Sequence, residues 1–135
     1  MSHHLLIVED DEGIREGLRV NFEFGGYRVS TAADGVDGLQ AALRLKPDLL
    51  ILDIVLPGMD GFELCRRIRM ARLTFPVLML TVRTNEADLA RSLDMGADDL
   101  MGKPFSLVAL SSRVKALLRH RQAVRAVPAD PLGWD

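Results

Sequence analysis

The sequence is poor in cysteine, in net charge and in long hydrophobic runs, and each shortage excludes a class of protein. A single cysteine, Cys65, can form neither an intramolecular disulfide nor a cysteine-based metal cluster. A formal charge of -2 predicts no general affinity for nucleic acid. No segment approaches the roughly 18 consecutive apolar residues that a membrane-spanning helix needs. A hydrophobic content of 48% with 27% charged residues then fits a soluble, core-forming chain.

The length and the first segment predict one domain in the cytoplasm. A chain of 135 residues is close to the usual size of a single domain. The apolar run Leu5–Val8 is followed at once by Glu9, Asp10, Asp11 and Glu12, which the hydrophobic region of a signal peptide does not tolerate. We therefore expect a cytoplasmic protein with no membrane partner.

Short apolar runs alternate with segments of helical period, a pattern typical of an α/β fold with a doubly wound parallel sheet. The strand candidates are Leu5–Val8, Arg28–Ala32, Leu49–Leu52, Val77–Leu80 and Leu100–Met101. The helical stripes are Ile14, Leu18, Phe22; Val36, Leu39, Leu43; Leu64, Ile68; Leu89, Leu93; and Leu107, Leu110, Val114, Leu117. The third and fourth runs are apolar almost throughout and suit central strands, whereas the mixed second run suits an edge. We predict a five-stranded domain over residues 1–121, followed by a linker or tail over residues 122–135.

Polar side chains stand where the predicted strands end. Glu9 and Asp10 follow the first strand, Asp53 the third, Thr81 the fourth and Lys103 the fifth. In an open parallel sheet, ligands bind at the carboxyl ends of the strands. A set of oxygen ligands there favours a hard divalent ion, most plausibly Mg²⁺. A carboxylate beside this ion, an ammonium and a hydroxyl suit phosphoryl transfer, with Asp53 as the nucleophile.

Each of these residues also has a structural interpretation. Asp10 or Asp11 could cap the first helix, Thr81 could be an ordinary strand residue, and Lys103 could be a solvated side chain. It is their joint placement at one edge that favours a site. Asp60 we assign to a helix cap or turn, outside that site.

The blocks "LLIVEDDEGIREGL", "PDLLILDIVLPGMDGFELCRRIR", "PVLMLTVRT" and "GADDLMGKPF" resemble, in order, those of a response-regulator receiver domain of two-component signalling. The resemblance covers residues 5 to about 121. It implies a flavodoxin-like (βα)5 fold with strand order 2-1-3-4-5. It also implies phosphorylation of Asp53 by a sensor histidine kinase or a small phosphodonor, and no enzymatic action beyond its own phosphorylation and dephosphorylation.

The same resemblance assigns further roles. Glu9 and Asp10 belong to the acidic Mg²⁺ pocket, with Asp10, Asp53 and the backbone carbonyl of Val55 as direct ligands. Thr81 and Lys103 bind the phosphoryl oxygens, and the bond before Pro104 is cis. The chain departs from the family at Leu100, where an aromatic residue or histidine is usual, and at Val82, where alanine is usual. We therefore do not expect aromatic gating of the switch.

The "GADD" and "TVR" segments and the Arg113–Lys115 spacing look like the receivers of winged-helix transcription factors, which dimerise through the fourth helix, fifth strand and fifth helix. The possible dimer face comprises Asp94, Asp98, Asp99, Arg113, Lys115 and Arg119. The competing interpretation is a solvated charged surface whose ion pairs contribute little. DNA would be reached only through an output domain, for which residues after 121 leave no room, so a stand-alone receiver acting through protein–protein contacts is the alternative.

Two other classes are disfavoured by particular residues. A phosphatase of the haloacid-dehalogenase type would place an aspartate two residues after the nucleophile, where this chain has Val55. A nucleotide or flavin binder would place glycine or hydroxyl residues after the first strand. Here that loop is "EDDE", which repels phosphate unless a metal intervenes.

Overall fold

The computed structural model of the protein describes residues 2–82 and 85–126, in which five strands alternate with five helices. The elements are β1 His4–Val8, α1 Glu12–Phe24, β2 Arg28–Ala32, α2 Gly35–Leu45, β3 Leu49–Asp53, α3 Gly61–Met70, β4 Val77–Thr81, α4 Glu86–Asp94, β5 Asp99–Gly102 and α5 Leu107–Ala126. The strands are parallel in the order β2-β1-β3-β4-β5. The doubly wound fold is thus confirmed, with β2 at an edge and β3 and β4 inside.

The hydrophobic core has two layers, one on each face of the sheet. Leu18 and Phe22 of α1 pack with Leu110 and Val114 of α5 against one face. The opposite layer comes from α2, α3 and the segment before β5. Every residue of β3 and β4 is buried, because helices cover both sides of these strands. Two covered faces leave the ends of the strands as the places where polar side chains reach solvent.

Aspartates begin α1 and α3. The Asp11 carboxylate accepts a bond of 2.9 Å from the Ile14 amide, and the Asp60 carboxylate accepts one of 2.9 Å from the Glu63 amide. The expected capping role of Asp60 is confirmed. At α1 the cap is Asp11, so Asp10 is not needed to begin that helix.

The predicted inward stripe of α2 is wrong at Val36 and Leu43, which are 44% and 41% exposed, and that of α4 is wrong throughout. Leu89 and Leu93 are 41% and 50% exposed, whereas Asp88 and Ser92 are buried. The helix is therefore turned by about one residue from the orientation that its leucines suggest. The buried Ser92 hydroxyl is satisfied within the helix, where it donates to the Asp88 carbonyl at 2.8 Å. The guanidinium of Arg91 also lies 4.2 Å from the centre of the Phe62 ring.

Helix α5 continues to Ala126, five residues beyond the predicted end of the folded region at residue 121. Its last turns contact the opposite end of the sheet from the acidic residues, where the Arg121 guanidinium donates to the Asp48 carbonyl at 3.0 Å. The rest of the predicted tail, residues 127–135, lies outside the described residues. At 20 residues α5 is the longest helix, yet neither it nor any other described helix is long and apolar enough to cross a membrane.

Candidate functional site

Asp53 ends β3, with its side chain almost entirely buried. One carboxylate oxygen, Oδ1, accepts a bond of 3.1 Å from the Val55 amide. The first residue of α3 is packed against this strand end, because the Gly61 amide donates to the Ile54 carbonyl at 2.7 Å. A Cβ on Gly61 would lie only 2.4 Å from the Asp53 carbonyl oxygen. Glycine at position 61 is thus required for this approach.

Lys103 bridges two of the predicted site residues. Its ammonium donates to Asp53 Oδ2 at 2.7 Å and to the carboxylate of Glu9. Its backbone amide donates to the Thr81 carbonyl at 2.7 Å, which fixes the loop after β5 against the end of β4. Asp53 and Glu9, which lie 50 and 94 positions before Lys103 in the chain, therefore meet at its ammonium group.

Three carboxylates form the acidic cluster that the sequence predicts. Glu9, Asp10 and Asp53 each place one oxygen within 4.8 Å of the others. Burial, and then the neighbouring Asp53, raise the pKa of Glu9 to about 7, although Lys103 acts in the opposite direction. Burial tends to lower the pKa of Lys103, but its bonds to Asp53 and Glu9 outweigh burial, and the pKa is raised. Lys103 thus stays positively charged between the two acids.

This donor set fits a hard divalent cation. Its ligand atoms are all oxygens, which Mg²⁺ prefers, and softer nitrogen or sulfur donors are missing from the cluster. Asp10 is exposed, so the cluster is open to solvent on one side. Mg²⁺ usually keeps several water ligands, and an open side accommodates them. Glu9, Asp10 and Asp53 are therefore the residues that would hold the ion.

The other predicted site residues lie at the same edge. Thr81 is fully buried and ends β4, opposite Gly102 in the strand register. Val55 is exposed beside Asp53, and the Lys103–Pro104 bond is cis. Of the two departures from the family, Val82 is exposed next to Thr81. Leu100 is partly buried against the core layer on the α2 and α3 side of the sheet.

Sequence reasoning missed Arg15. Its guanidinium donates to the carbonyl of Glu9 at 2.9 Å and to that of Asp10 at 3.3 Å. These bonds hold the backbone of the loop that carries both acids. The sequence does show an arginine one turn into α1, after an acidic loop. Its hydrogen bonds go to backbone carbonyls, however, and a sequence pattern can only suggest pairs of side chains.

The six residues of the possible dimer face are not on one surface. Asp98 accepts from Arg69 at 3.0 Å, and Asp99 accepts from Arg113 at 2.7 Å, both within the chain. Lys115 instead lines a groove with Asn21 of α1, because two residues along a helix turn the side chain by about 200° from Arg113. Arg119, one turn after Lys115, shares its side of α5. Lys115 and Arg119 thus lie away from Arg113, and the dimer face stays a prediction for Asp94, Asp98, Asp99 and Arg113.

Comparison with known proteins agrees with this geometry. Residues 5–115 match the family described as response regulator receiver domain. The chain is 46% identical over 122 residues to the alkaline phosphatase synthesis transcriptional regulatory protein PhoP of Bacillus subtilis, covering 90% of this chain and 51% of that protein. It thus spans about half the length of the curated relatives it matches.

Solved structures agree as well. A response regulator receiver domain protein of Methanospirillum hungatei superposes with a TM-score of 0.87 at 30% identity, covering 91% of this chain and 98% of that one. The BeF3-activated N-terminal receiver domain of RstA from Klebsiella pneumoniae superposes with a TM-score of 0.81 at 32% identity, covering 86% and 98%. The strand order, the converging site residues and these matches lead to one conclusion: the chain belongs to the response regulator receiver domain family.

Proposed function

We propose that this domain is a phosphoacceptor switch in which Asp53 receives a phosphoryl group from a phosphohistidine of a sensor histidine kinase. The observation that carries the proposal is the Lys103 ammonium 2.7 Å from Asp53 Oδ2, beside two further carboxylates. A purely structural ion pair needs one acid for each base. Here three acids crowd around one ammonium, an arrangement that favours an additional cation and an incoming phosphoryl group.

The chemistry follows from the placement of these groups. A carboxylate oxygen of Asp53 attacks phosphorus, and the P–N bond of the phosphohistidine breaks so that its electron pair returns to the imidazole. Lys103 offsets negative charge on the phosphoryl oxygens, because its ammonium already lies 2.7 Å from the attacking carboxylate of Asp53. Thr81 ends β4 at this edge and would supply a hydroxyl to the same oxygens. Water later hydrolyses the acyl phosphate, so the domain acts only on itself.

Mg²⁺ is the proposed cofactor. When bound, it would neutralise charge on the transferring group and align it with Asp53. Asp10 and Asp53 would ligate it directly with the Val55 carbonyl, and Glu9 would add negative charge to the pocket. Ligation requires deprotonated carboxylates, and the raised pKa of Glu9 is therefore expected to fall when the ion binds.

The proposed output is transcription. The relative from Bacillus subtilis is by its name a transcriptional regulatory protein, and it is about twice the length that the match covers. In this proposal, DNA is contacted by a winged-helix output domain and not by the receiver. The alternative is a receiver that acts alone, through protein–protein contacts of α4, β5 and α5.

Phosphorylation is proposed to alter the face formed by α4, β5 and α5 and to promote a homodimer there. The Arg113 guanidinium donates to both oxygens of Asp99, each at 2.7 Å, and this pair could exchange with the same pair of a second copy. Leu100 has no ring to rotate toward Thr81, and we therefore propose a smaller rearrangement than an aromatic residue would give.

Acetyl phosphate with Mg²⁺ tests the core of this proposal by intact-protein mass spectrometry. The expected result is a mass increase of one phosphoryl group that is lost in Asp53→Asn. The matched control is Asp60→Asn, an aspartate in the same loop whose capping role asparagine also fills. Phosphorylation of the Asp53→Asn protein, or equal rates with and without Mg²⁺, would refute the assignment.

A further inference from the structure

The loop between β3 and α3, residues 54–60, carries the backbone carbonyl of Val55 and is fixed at its base. The Gly61 amide donates to the Ile54 carbonyl at 2.7 Å, which closes the loop between the end of β3 and the start of α3. The Val55 amide donates to Asp53 Oδ1 at 3.1 Å. Val55 is 57% exposed, so its side chain contributes little to holding the loop. The position of its carbonyl therefore depends on the backbone on both sides of it.

The tip of this loop is held by another element, the first turn of α2. The Gly35 amide donates to the Pro57 carbonyl at 3.0 Å, and the Met59 amide donates to the same carbonyl at 3.0 Å. The two backbones are in close contact, because a Cβ on Gly35 would lie 2.7 Å from the carbonyl carbon of Met59 and closer still to its oxygen. Only a residue without a side chain permits this approach.

We propose that the first turn of α2 is a positioning element for Mg²⁺, which holds the β3–α3 loop in the conformation that lets the Val55 carbonyl ligate the ion. The inference rests on the proposed function, in which that carbonyl is a ligand. Val55 lies between two anchors, the bond of Gly61 at the base and the bond of Gly35 at the tip. Without the second anchor the segment from Val55 to Pro57 shifts, and one ligand loses the groups that orient it.

Asp34 fixes the direction in which the Gly35 amide points. Its carboxylate accepts from the Asp37 amide at 2.7 Å, and its carbonyl accepts from the Gly38 amide at 2.9 Å. These bonds close the first turn of α2 from its amino end, as an N-cap residue does. Gly35 is the next residue, so its amide stays directed at Pro57 only while this turn is formed. Asp34 and Gly35 thus act on the ion through the loop and not by direct ligation.

A Mg²⁺ titration of the unphosphorylated protein, followed by amide chemical shifts in NMR spectra, tests the proposal. In Gly35→Ala the added Cβ pushes the loop away from α2, and the dissociation constant for Mg²⁺ should rise at least about tenfold, as is usual when groups that orient a metal ligand are lost. The matched control is Gly96→Ala, which crowds Arg69 with a Cβ 2.6 Å from its Cγ, before the start of β5. Gly96 has φ of 102°, so this variant is also strained, but it should keep the original constant. An equal rise in both variants would show that lost stability is the cause, and would overturn the proposal.

A milder pair of variants decides the question if Gly35→Ala does not fold. Asp34→Ala removes the N-cap, whereas Asp34→Asn removes the same charge and keeps the cap, because asparagine caps a helix as well as aspartate does. The dissociation constant for Mg²⁺ should rise at least about threefold in Asp34→Ala and stay within about a factor of two in Asp34→Asn. Equal constants in the two variants overturn the proposal.

A metal-free measurement examines the loop directly. Hydrogen exchange of the Val55 amide reports its bond to Asp53, and it should be several-fold faster in Gly35→Ala and Asp34→Ala than in the unchanged protein. Unchanged exchange in both variants overturns the inference, because the loop would not depend on α2.

Failure of the proposed function has a different signature from failure of this inference. In the first case the unchanged protein does not bind Mg²⁺ at all, and the inference falls with it. In the second case the unchanged protein binds Mg²⁺, and Gly35→Ala and Asp34→Ala bind it equally tightly. The proposed function then stands, and only the role of α2 is refuted.

Discussion

Replacing Gly61 by alanine tests how tightly α3 is packed against the phosphoacceptor strand. The added Cβ would lie 2.4 Å from the Asp53 carbonyl oxygen and 2.8 Å from the Ile54 Cα, and both are backbone atoms that no rotamer change removes. The start of α3 or the end of β3 must therefore shift by roughly 1 Å, since ordinary contacts begin near 3.4 Å. Overpacking of this kind costs about 1–3 kcal/mol.

Part of that cost is offset, because alanine is up to about 1 kcal/mol better than glycine in a helix. We expect a net loss of about 1–2 kcal/mol in the free energy of unfolding, or roughly 4–8 °C in Tm. Urea unfolding followed by circular dichroism measures it. The displaced carboxylate should also slow phosphorylation at least about tenfold, because small misplacements of reacting groups have large effects.

The matched control is Gly17→Ala, in the middle of α1, where an added Cβ meets nothing within 4 Å. This variant should gain about 0.5–1 kcal/mol and keep its phosphorylation rate. If Gly61→Ala were as stable and as readily phosphorylated as Gly17→Ala, the close approach of α3 to Asp53 would not constrain the site, and our explanation of position 61 would be wrong.

Three further predictions concern single residues. The pKa of Glu9 is about 7 in the folded metal-free protein and 4.5 in the unfolded chain. The free energy of unfolding should therefore fall by on the order of 2 kcal/mol as pH rises from 4.5 through 7. Denaturation at several pH values measures this fall, and an equal pH dependence in Glu9→Gln would contradict the prediction. Burial raises the pKa of Cys65 to about 11, and alkylation by iodoacetamide at pH 8 should therefore be negligible until the chain is unfolded in urea; rapid reaction of the native protein would refute this. Lys46 ends α2 with φ of 46°, so Lys46→Gly should raise the free energy of unfolding by about 0.5–1 kcal/mol in the same urea assay, and an unchanged or lower value would contradict this explanation.

Hydrophobic pattern was sufficient for the sheet but not for every helix. The strands could be predicted because β3 and β4 are apolar runs whose residues are all buried. In α4 the helical periodicity was predicted correctly, but the side of the helix that faces the core was not. Asp88 and Ser92 face inward, whereas Leu89 and Leu93 face solvent. Pattern analysis assumes that apolar residues point inward, and it fails for a helix whose buried side chains are polar.

The site was predictable for a different reason. In a parallel sheet the carboxyl ends of all strands meet at one edge, and the order of the segments alone brings Asp53 and Lys103 together. The hydrogen bonds of Arg15 to the loop carbonyls could not be predicted, because they depend on rotamers and backbone direction. Nor could the separation of Lys115 from Arg113, which required knowing which side of α5 faces the sheet.

The orientation of α4 has a consequence for local stability. None of its buried residues is hydrophobic, so transfer of hydrocarbon out of water contributes less to its docking than to that of the other four helices. Detaching α4 should thus cost only a fraction of the global unfolding free energy. In native-state hydrogen exchange its amides would open as an independent unit, well before those of α1 and α5.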